Sequence, residues 1–523
     1  MSGIVDKPDG SGDGVAGFPP ALAVTTSDWS YLAEGGFHII LRYDGADPKL
    51  RGNILRIGKK SLGHAKKEGG EGSEAPVAAP AALDEAGARR RFERGVLMPL
   101  LGAQYVQPGD AVELSREDID KIHVSIDHLR PEGRIKKDPG DWSSAAQLEP
   151  DKTAFWLNLP SGTTDSKRGS GGGGGSDVVI AVEVKPKGAV MPVGTLVPPG
   201  NNRLKYRVAR FDAQQKFKAQ GKQSWGSIDR ACAYHPREFY SGEAERAAAT
   251  LKELMKTPQN KLRAWENGNM LFGAGSGASD EAAEGKETAG EVKLGAAVVA
   301  AGLAGGNGTS AEALMDLVGE ILAKEPLVSR LVAAQALDVL EVEGGGLVFK
   351  KLVSLCGGSR EEALSMLEHQ EADPFVEETV AADLLVPEAT LASLRAGAAS
   401  PEGAAGIDAL HEKGLRAVDN LSVKDCVQLL RRYLVGLGVM DCSVMMSLKA
   451  VTLDETEAAA AAASSVQGQD VAGVFQTGDG RRVAYCVSVV DAGPKPPTKL
   501  SGKAKHEDEI WDFVAGLGDA ALV

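Results

Sequence analysis

From Val178 to Val184 the chain is apolar almost throughout and rich in β-branched residues, the pattern of a strand buried on both faces. Strand side chains alternate, so Glu183, Lys185 and Lys187 share one face while Val182 and Val184 take the other. Pro186 has no amide hydrogen to give to a ladder, which predicts that the strand leaves its sheet there. Two strand-like runs flank the pair Gly35-Gly36, from Trp29 and from Phe37 to Tyr43, and predict a hairpin whose backbone can approach a ligand closely. Further strands are expected at Asn53–Ile57, at Ala154–Leu159 and in the run from Arg482 that ends at Asp491. An amphipathic helix is predicted over about Glu243–Lys256, with Ser241 as N-cap and Leu251 and Leu254 on the core stripe. Thr309-Ser-Ala-Glu312 has capping-box spacing and opens a helix to about Lys324. Lys424–Val435 and the acidic stretch 357–420 also read as helical.

Between these elements the pattern lapses. Residues 1–20 are rich in Gly, Asp, Ser and Pro and are expected to be disordered. Residues 61–88 read as an inserted loop, 161–176 as a flexible Gly/Ser linker, 273–308 as a disordered insertion, and 452–470 as an Ala-rich insertion or poorly ordered helix.

The length of 523 residues allows two to four ordinary domains or one large two-lobed enzyme. A formal charge of −14 argues against a general nucleic-acid or anionic-membrane binder, so an anionic substrate would need a locally basic pocket. Five widely spaced cysteines, with no C-x-x-C pair, favour reduced thiols over a disulfide framework or a zinc finger. The run Leu294–Ala304 is too short to span a bilayer, and the N-terminus has no apolar signal core. An intracellular, soluble protein is expected.

Candidate chemistry gathers at a few places. Glu183, Lys185 and Lys187 would deliver a carboxylate and two ammoniums from the rim of a rigid core, which suits a ligand with several phosphates; the same stretch also reads as a solvated strand end. Asp441 stands at the mouth of an otherwise apolar run, where burial is costly without partners; a capping or turn aspartate is the alternative. A strand ending in Asp491 could present a magnesium ligand.

Several of these segments together resemble the inositol-pentakisphosphate 2-kinases. Glu183-Val-Lys185-Pro-Lys187 is similar to the family's E-[IV]-K-P-K. Trp29 to Gly45 resembles its W-x-Y-x-G-E-G-x-x-N-L-V-L-x-Y-x-G opening, with Ala33 and His38 as departures. Met98–Val106 resembles P-L-L-G-x-x-Y-V, Arg130–Arg134 R-P-x-x-R, and Arg210–Lys218 R-F-x-x-H-Q-x-x-K, with Gln214 in place of histidine. Tyr234–Gly242, a helix, Pro258–Arg263 and Asn267-Gly268 follow Y-x-P-x-D-L-F-S-G, then P-Q-N-N-L-R and N-G, with Lys261 replacing the second asparagine. Asp441–Leu448 resembles K-D-C-S-x-M-x-S-L, and Asp491–Lys499 resembles I-D-L-x-x-K-P-x-x-[KR].

The resemblance implies an α+β, two-lobed kinase-like fold with an added helical inositide-binding subdomain in the C-lobe. A leader at 1–27 would precede an N-lobe at 28–160 (inserted loop 61–88), a linker at 161–176 and a C-lobe at 177–523 (insertions 274–308 and 452–470). It implies ATP in the cleft and Mg2+ as cofactors, with transfer to the 2-hydroxyl of inositol 1,3,4,5,6-pentakisphosphate to give the hexakisphosphate. Asp441 would be the base and Asp491 the metal ligand. Glu34, Gly35, Gly36, Arg56, Glu183, Arg263 and Met445 would bind ATP. Arg130, Lys185, Lys187, Lys218, Asn260, Lys495 and Lys499 would bind the inositide. A monomer without nucleic-acid or membrane partners, in cytoplasm or nucleus, is expected. The departures leave open an inositide-binding scaffold with little turnover, or a kinase for a related inositol phosphate.

Overall fold

The computed structural model describes residues 22, 24–35, 38–59, 83–136, 138, 140–157, 178–220, 231–259, 261–273, 288–305, 310–368, 384–395, 401–452, 472–493, 495, 497, 500 and 504–517. The fold is α+β, with two antiparallel sheets and many helices. The chain divides into two compact units, one of residues 1–90 and 109–150, the other of 91–108 and 151–523.

In the first unit, strands β1 (Trp29–Glu34), β2 (His38–Tyr43), β3 (Asn53–Lys59), β4 (Asp110–Glu113) and β5 (Trp142–Pro150) form a sheet in the order β1-β2-β3-β5-β4. The expected hairpin is β1–β2, closed by the Gly35 amide donating to the His38 carbonyl at 2.9 Å. Ile39, Leu41 and Tyr43 alternate inward on β2 and meet Leu55, Ile57 and Trp142. Helix α3 (Arg116–Ile126) covers this core with Ile119, Ile122 and Ile126, spaced to fall on one helical stripe. Helix α4 (Glu132–Ile135) precedes β5 in this unit; helix α1 (Leu83–Phe92) ends just past its boundary, and α2 (Met98–Leu101) belongs to the second unit.

The second unit is built on β6 (Ile180–Val184), β7 (Leu262–Glu266), β8 (Asn269–Phe272), β9 (Ser443–Ala450), β10 (Ala472–Gln476) and β11 (Arg482–Val490), in the order β10-β11-β9-β6-β7-β8. β6 is an interior strand with all five residues buried, as its unbroken apolar run predicts. The Lys185 amide still donates to the Lys261 carbonyl at 2.8 Å; at Pro186 the ladder stops. One sheet face, carrying Val182, Val184, Leu262, Ala264, Val444, Met446 and Val487, belongs to the main core. Helices α5 (Arg210–Ala219), α6 (Pro236–Phe239), α7 (Ala244–Lys256), α8 (Ala289–Ala300), α9 (Ser310–Lys324), α10 (Leu327–Gln335) and α11 (Glu341–Leu355) surround the sheet and a second core. Helices α12 (Arg360–Glu368), α13 (Glu388–Arg395), α14 (Pro401–Asp419), α15 (Val423–Met440) and α16 (Ala504–Gly516) follow. No helix among the described residues is long and apolar enough to cross a membrane.

Several local expectations are corrected. Within 273–308, read as disordered, α8 is a helix whose N-cap Thr288 accepts from the Glu291 amide while Glu291 reaches back to the Thr288 amide. Its Leu294, Ala297 and Val298 are buried against α9. Small side chains hide the periodicity, because Ala and Gly contribute little contrast between faces. Helix α1 likewise begins at Leu83, inside the loop expected to run to 88, in a stretch of good helix formers. Of the strand expected over Ala154–Leu159, the described part is instead a 3-10 stretch, Lys152–Leu157, kinked at Ala154; residues 158 and 159 lie outside the described residues. There the Asp151 carboxylate accepts from the Thr153 amide and hydroxyl at 2.9 and 2.6 Å, turning the chain before it can extend. Ser241 does not cap α7: Glu243 occupies the N-cap, while the Ser241 hydroxyl donates to the Glu238 carbonyl. Helix α15 runs five residues beyond the expected Val435, to Met440. Thr309 and the segments 1–20, 161–176 and 453–470 lie outside the described residues.

Candidate active site

The second sheet presents its other face to the candidate site. Register places Arg263 opposite Glu183 and Glu183 opposite Met445, so these three form one row across β7, β6 and β9. The Glu183 carboxylate is fixed from both sides: the Ser443 hydroxyl donates to it at 2.7 Å, and Arg263 Nη1 lies 3.4 Å away. Ala181, Trp265 and Met445 form a small apolar cluster beside the row, with Met270 and Val490 against it. A planar, partly apolar group with a polar edge would find both kinds of partner here.

Three strands change direction at one edge of this sheet. β6 ends at Val184, paired with Val444 near the start of β9; β9 starts at Ser443, paired with Val490 at the end of β11. Lys185, Asp441 and Asp491 therefore leave the sheet side by side although they lie up to 306 residues apart in sequence. The Lys185 ammonium donates to Asp491 at 3.3 Å. Lys187 and Lys495 donate to the two oxygens of Asp441, at 3.2 and 3.0 Å. Partial desolvation works against ionising Asp441, whose side chain is more than half exposed, but the Lys187 and Lys495 ammoniums override it and hold the carboxyl well below the usual range. The neighbouring Cys442 thiol is pushed up to about 12, by burial first and then by Asp441 and Asp491, against Lys187 and Lys185. All four charges thus act on one buried atom.

The backbone here is held in costly conformations. Lys187 has φ 64° and Asp491 φ 60°, left-handed values that residues with a Cβ adopt only when their surroundings fix them. The surroundings are visible. The Tyr234 hydroxyl donates to the Pro186 carbonyl at 2.9 Å, and the Ala189 amide donates to Gln335, itself fully buried. A Cβ at Gly438 of α15 would stand 3.0 Å from the Gly493 carbonyl oxygen, so a glycine lets the loop after Asp491 approach the helix that ends at Asp441.

A second basic group borders the first. Lys218 on α5 is shifted down by burial and by the charges of Arg210 and Lys187. Lys261, at the foot of β7, is buried and shifted down as well. Sequence reasoning marked Lys261 only as a departure and passed over Ser443 and Gln335. The replaced asparagine was the available signal for the first; nothing local marks the other two.

Of the remaining expected site residues, the described ones lie in the first unit. Glu34 accepts from Lys59 at 3.2 Å and from Arg130 Nε at 2.7 Å, and its side chain is 1% exposed. The Arg130 guanidinium is fully covered, contacts Asp138 as well, and lies over the Trp142 ring at 5.4 Å. Arg56 is buried and forks onto Glu149 at 2.8 and 3.3 Å. In these positions Glu34, Arg56 and Arg130 serve as buried ties within their unit; Gly35 closes the hairpin. Gly36, Asn260 and Lys499 lie outside the described residues.

A sheet edge that collects two carboxylates and a ring of lysines, beside a partly apolar row, is the equipment of a phosphotransferase acting on a polyanion. The family model of the inositol-pentakisphosphate 2-kinases matches residues 31–509, and the chain belongs to that family. The inositol-pentakisphosphate 2-kinase of Arabidopsis thaliana is 26% identical over 332 residues, covering 61% of this chain and 68% of the relative. That of Oryza sativa subsp. indica is 26% identical over 341 residues, with 62% and 69% covered. That of Danio rerio is 27% identical over 247 residues, with 47% and 44% covered.

Proposed function

We infer that the chain phosphorylates the 2-hydroxyl of inositol 1,3,4,5,6-pentakisphosphate from ATP. The observation that carries the reading at the level of residues is the Asp441 carboxylate held between Lys187 and Lys495, at the sheet edge where Asp491 also emerges. Asp441 would accept the proton of the hydroxyl as its oxygen attacks the terminal phosphorus of ATP and ADP leaves. A carboxylate pinned by two ammoniums is a weak base. Inositide phosphates would compete for Lys187 and Lys495 and so raise the basicity of Asp441 once substrate is in place. Lys185, Lys218 and, outside the described residues, Asn260 and Lys499 are assigned to the same polyanion. Glu183, Arg263 and Met445, one row across β7, β6 and β9, are assigned to the nucleotide.

Asp491 suits Mg2+, which takes one or two protein carboxylates and completes its shell from substrate phosphates and water. When bound, the ion supplies neutralisation of phosphate charge. Lys185 beside Asp491 would then turn to the inositide. We read the first unit as the smaller lobe of a kinase-like fold and the second as the larger, with the helices after β8 forming the inositide-binding part. The proposed limits remain 28–160 and 177–523.

The test is an ATP-dependent assay on inositol 1,3,4,5,6-pentakisphosphate with the product position established by NMR. Phosphorylation at the 2-position is expected. Absence of turnover with intact inositide binding would leave a scaffold of the same family instead.

A further inference from the structure

Lys261 takes no part in the assignments above, yet its placement is unusual for a lysine. It is 6% exposed. Its carbonyl carries the last rung of the ladder to Lys185, so it stands level with the basic rim of β6. Its ammonium meets the Gln259 side-chain oxygen and lies 5.3 Å from the centre of the Phe211 ring. Gln259 is itself oriented: its amide donates to Gln215 at 2.9 Å, and its backbone is left-handed at φ 48°. Gln215 in turn accepts from the Cys232 amide at 3.2 Å. Among the described residues no carboxylate forms an ion pair with Lys261. The charges that bear on it are Lys187 from the loop after β6 and Lys218 from α5, both of its own sign, and the Cys232 thiol from the loop before α6.

A buried ammonium among like charges is unstable unless something anionic completes the group. The neutral amide relay and the aromatic face orient Lys261 without neutralising it. We propose that Lys261 is a further phosphate contact of the inositide site, sharing one polyanion with Lys187 and Lys218. This rests on the inositide reading of that site. It has a consequence that an ordinary surface lysine lacks. Burial, reinforced by Lys187 and Lys218 and opposed by Cys232, brings Lys261 down to about 8. Without ligand the group is about half neutral at that pH. A bound polyanion favours the charged form, so binding draws a proton onto Lys261.

The test is calorimetric titration of the full chain with inositol pentakisphosphate at pH 8, without ATP, in two buffers of different ionisation enthalpy. The ligand's own phosphates contribute equally in wild type and variant, so the readout is the difference. Lys261→Met is expected to take up about half a proton fewer per ligand than wild type. It should bind about tenfold more weakly at pH 7, with the gap narrowing above pH 8. Lys261→Asn, smaller and polar, serves as the second variant should the methionine disturb the fold, and should lose the same proton. Wild-type protein and a folded variant with equal proton uptake and equal affinity would overturn this assignment alone. Wild-type protein that binds no inositol pentakisphosphate would overturn the inositide reading and this assignment together.

Discussion

Replacing Asp441 by asparagine separates two effects that the geometry ties to one side chain. Asparagine keeps the size of the group but cannot accept the hydroxyl proton as a carboxylate does, and general-base catalysis contributes about 10²–10⁴-fold. Turnover by Asp441→Asn should fall by that factor. Binding should move the other way. Asp441 holds Lys187 at 3.2 Å and Lys495 at 3.0 Å, with 56% of its own side chain exposed. Each such pair contributes about 0.2–1 kcal/mol, so the two together hold back about 0.4–2 kcal/mol. Removing the carboxylate releases both lysines towards phosphate, tightening inositide binding by about 2- to 30-fold. Steady-state kinetics give kcat, and calorimetric titration with inositol pentakisphosphate gives affinity. A variant with near-normal kcat, or one that binds inositide more weakly than wild type, would refute the assignment of Asp441 as a base restrained by its lysines.

Lys187→Ala should raise KM for inositide about tenfold, or about 1.4 kcal/mol, while ATP affinity measured without inositide hardly changes; unaltered inositide KM in a Lys185/Lys187 double variant would return both to a solvated strand end. Glu183→Gln keeps the shape beside Ser443 and Arg263 but removes the charge, and should raise KM for ATP about 2- to 10-fold with inositide binding intact. Amides of α8 should exchange slowly, and Leu294→Ala, at a fully buried site, should cost about 2–5 kcal/mol in denaturant unfolding; fast exchange there would show the helix to be wrongly placed. Burial, then Glu343, pushes the Asp338 carboxyl up against the amides of Leu340 and Glu341 and against Lys205; burial and the Asp338 charge push Glu341 up. Raised carboxyls bind protons more tightly in the folded state, so stability should fall as pH rises from about 4 through neutrality, and Asp338→Asn with Glu341→Gln should flatten that slope in thermal melts.

Much of the site was legible along the chain because its elements announce themselves locally. A short, mostly β-branched run followed by a proline favours an interior strand that leaves its ladder, so Val178–Pro186 was readable without partners. The β1–β2 hairpin and α7 were equally readable from a glycine pair and a 3.6-residue stripe. Where the sequence misled, the cause was also local: α8 is made of residues too small to show two faces, and the Asp151–Thr153 turn overrode the extended tendency of Phe155 and Trp156. Tertiary structure alone decided the electrostatics. Antiparallel register across β11, β9 and β6 sets Asp491 beside Lys185 and Asp441 beside Lys187 and Lys495, and no window of sequence contains both members of any such pair. Arg56, Arg130 and Glu34 also carry charges that look available in the sequence and are taken up by Glu149, Asp138 and Lys59 in the fold. Side-chain type and spacing fix what a residue can offer; the ladder that joins distant strands fixes what it meets.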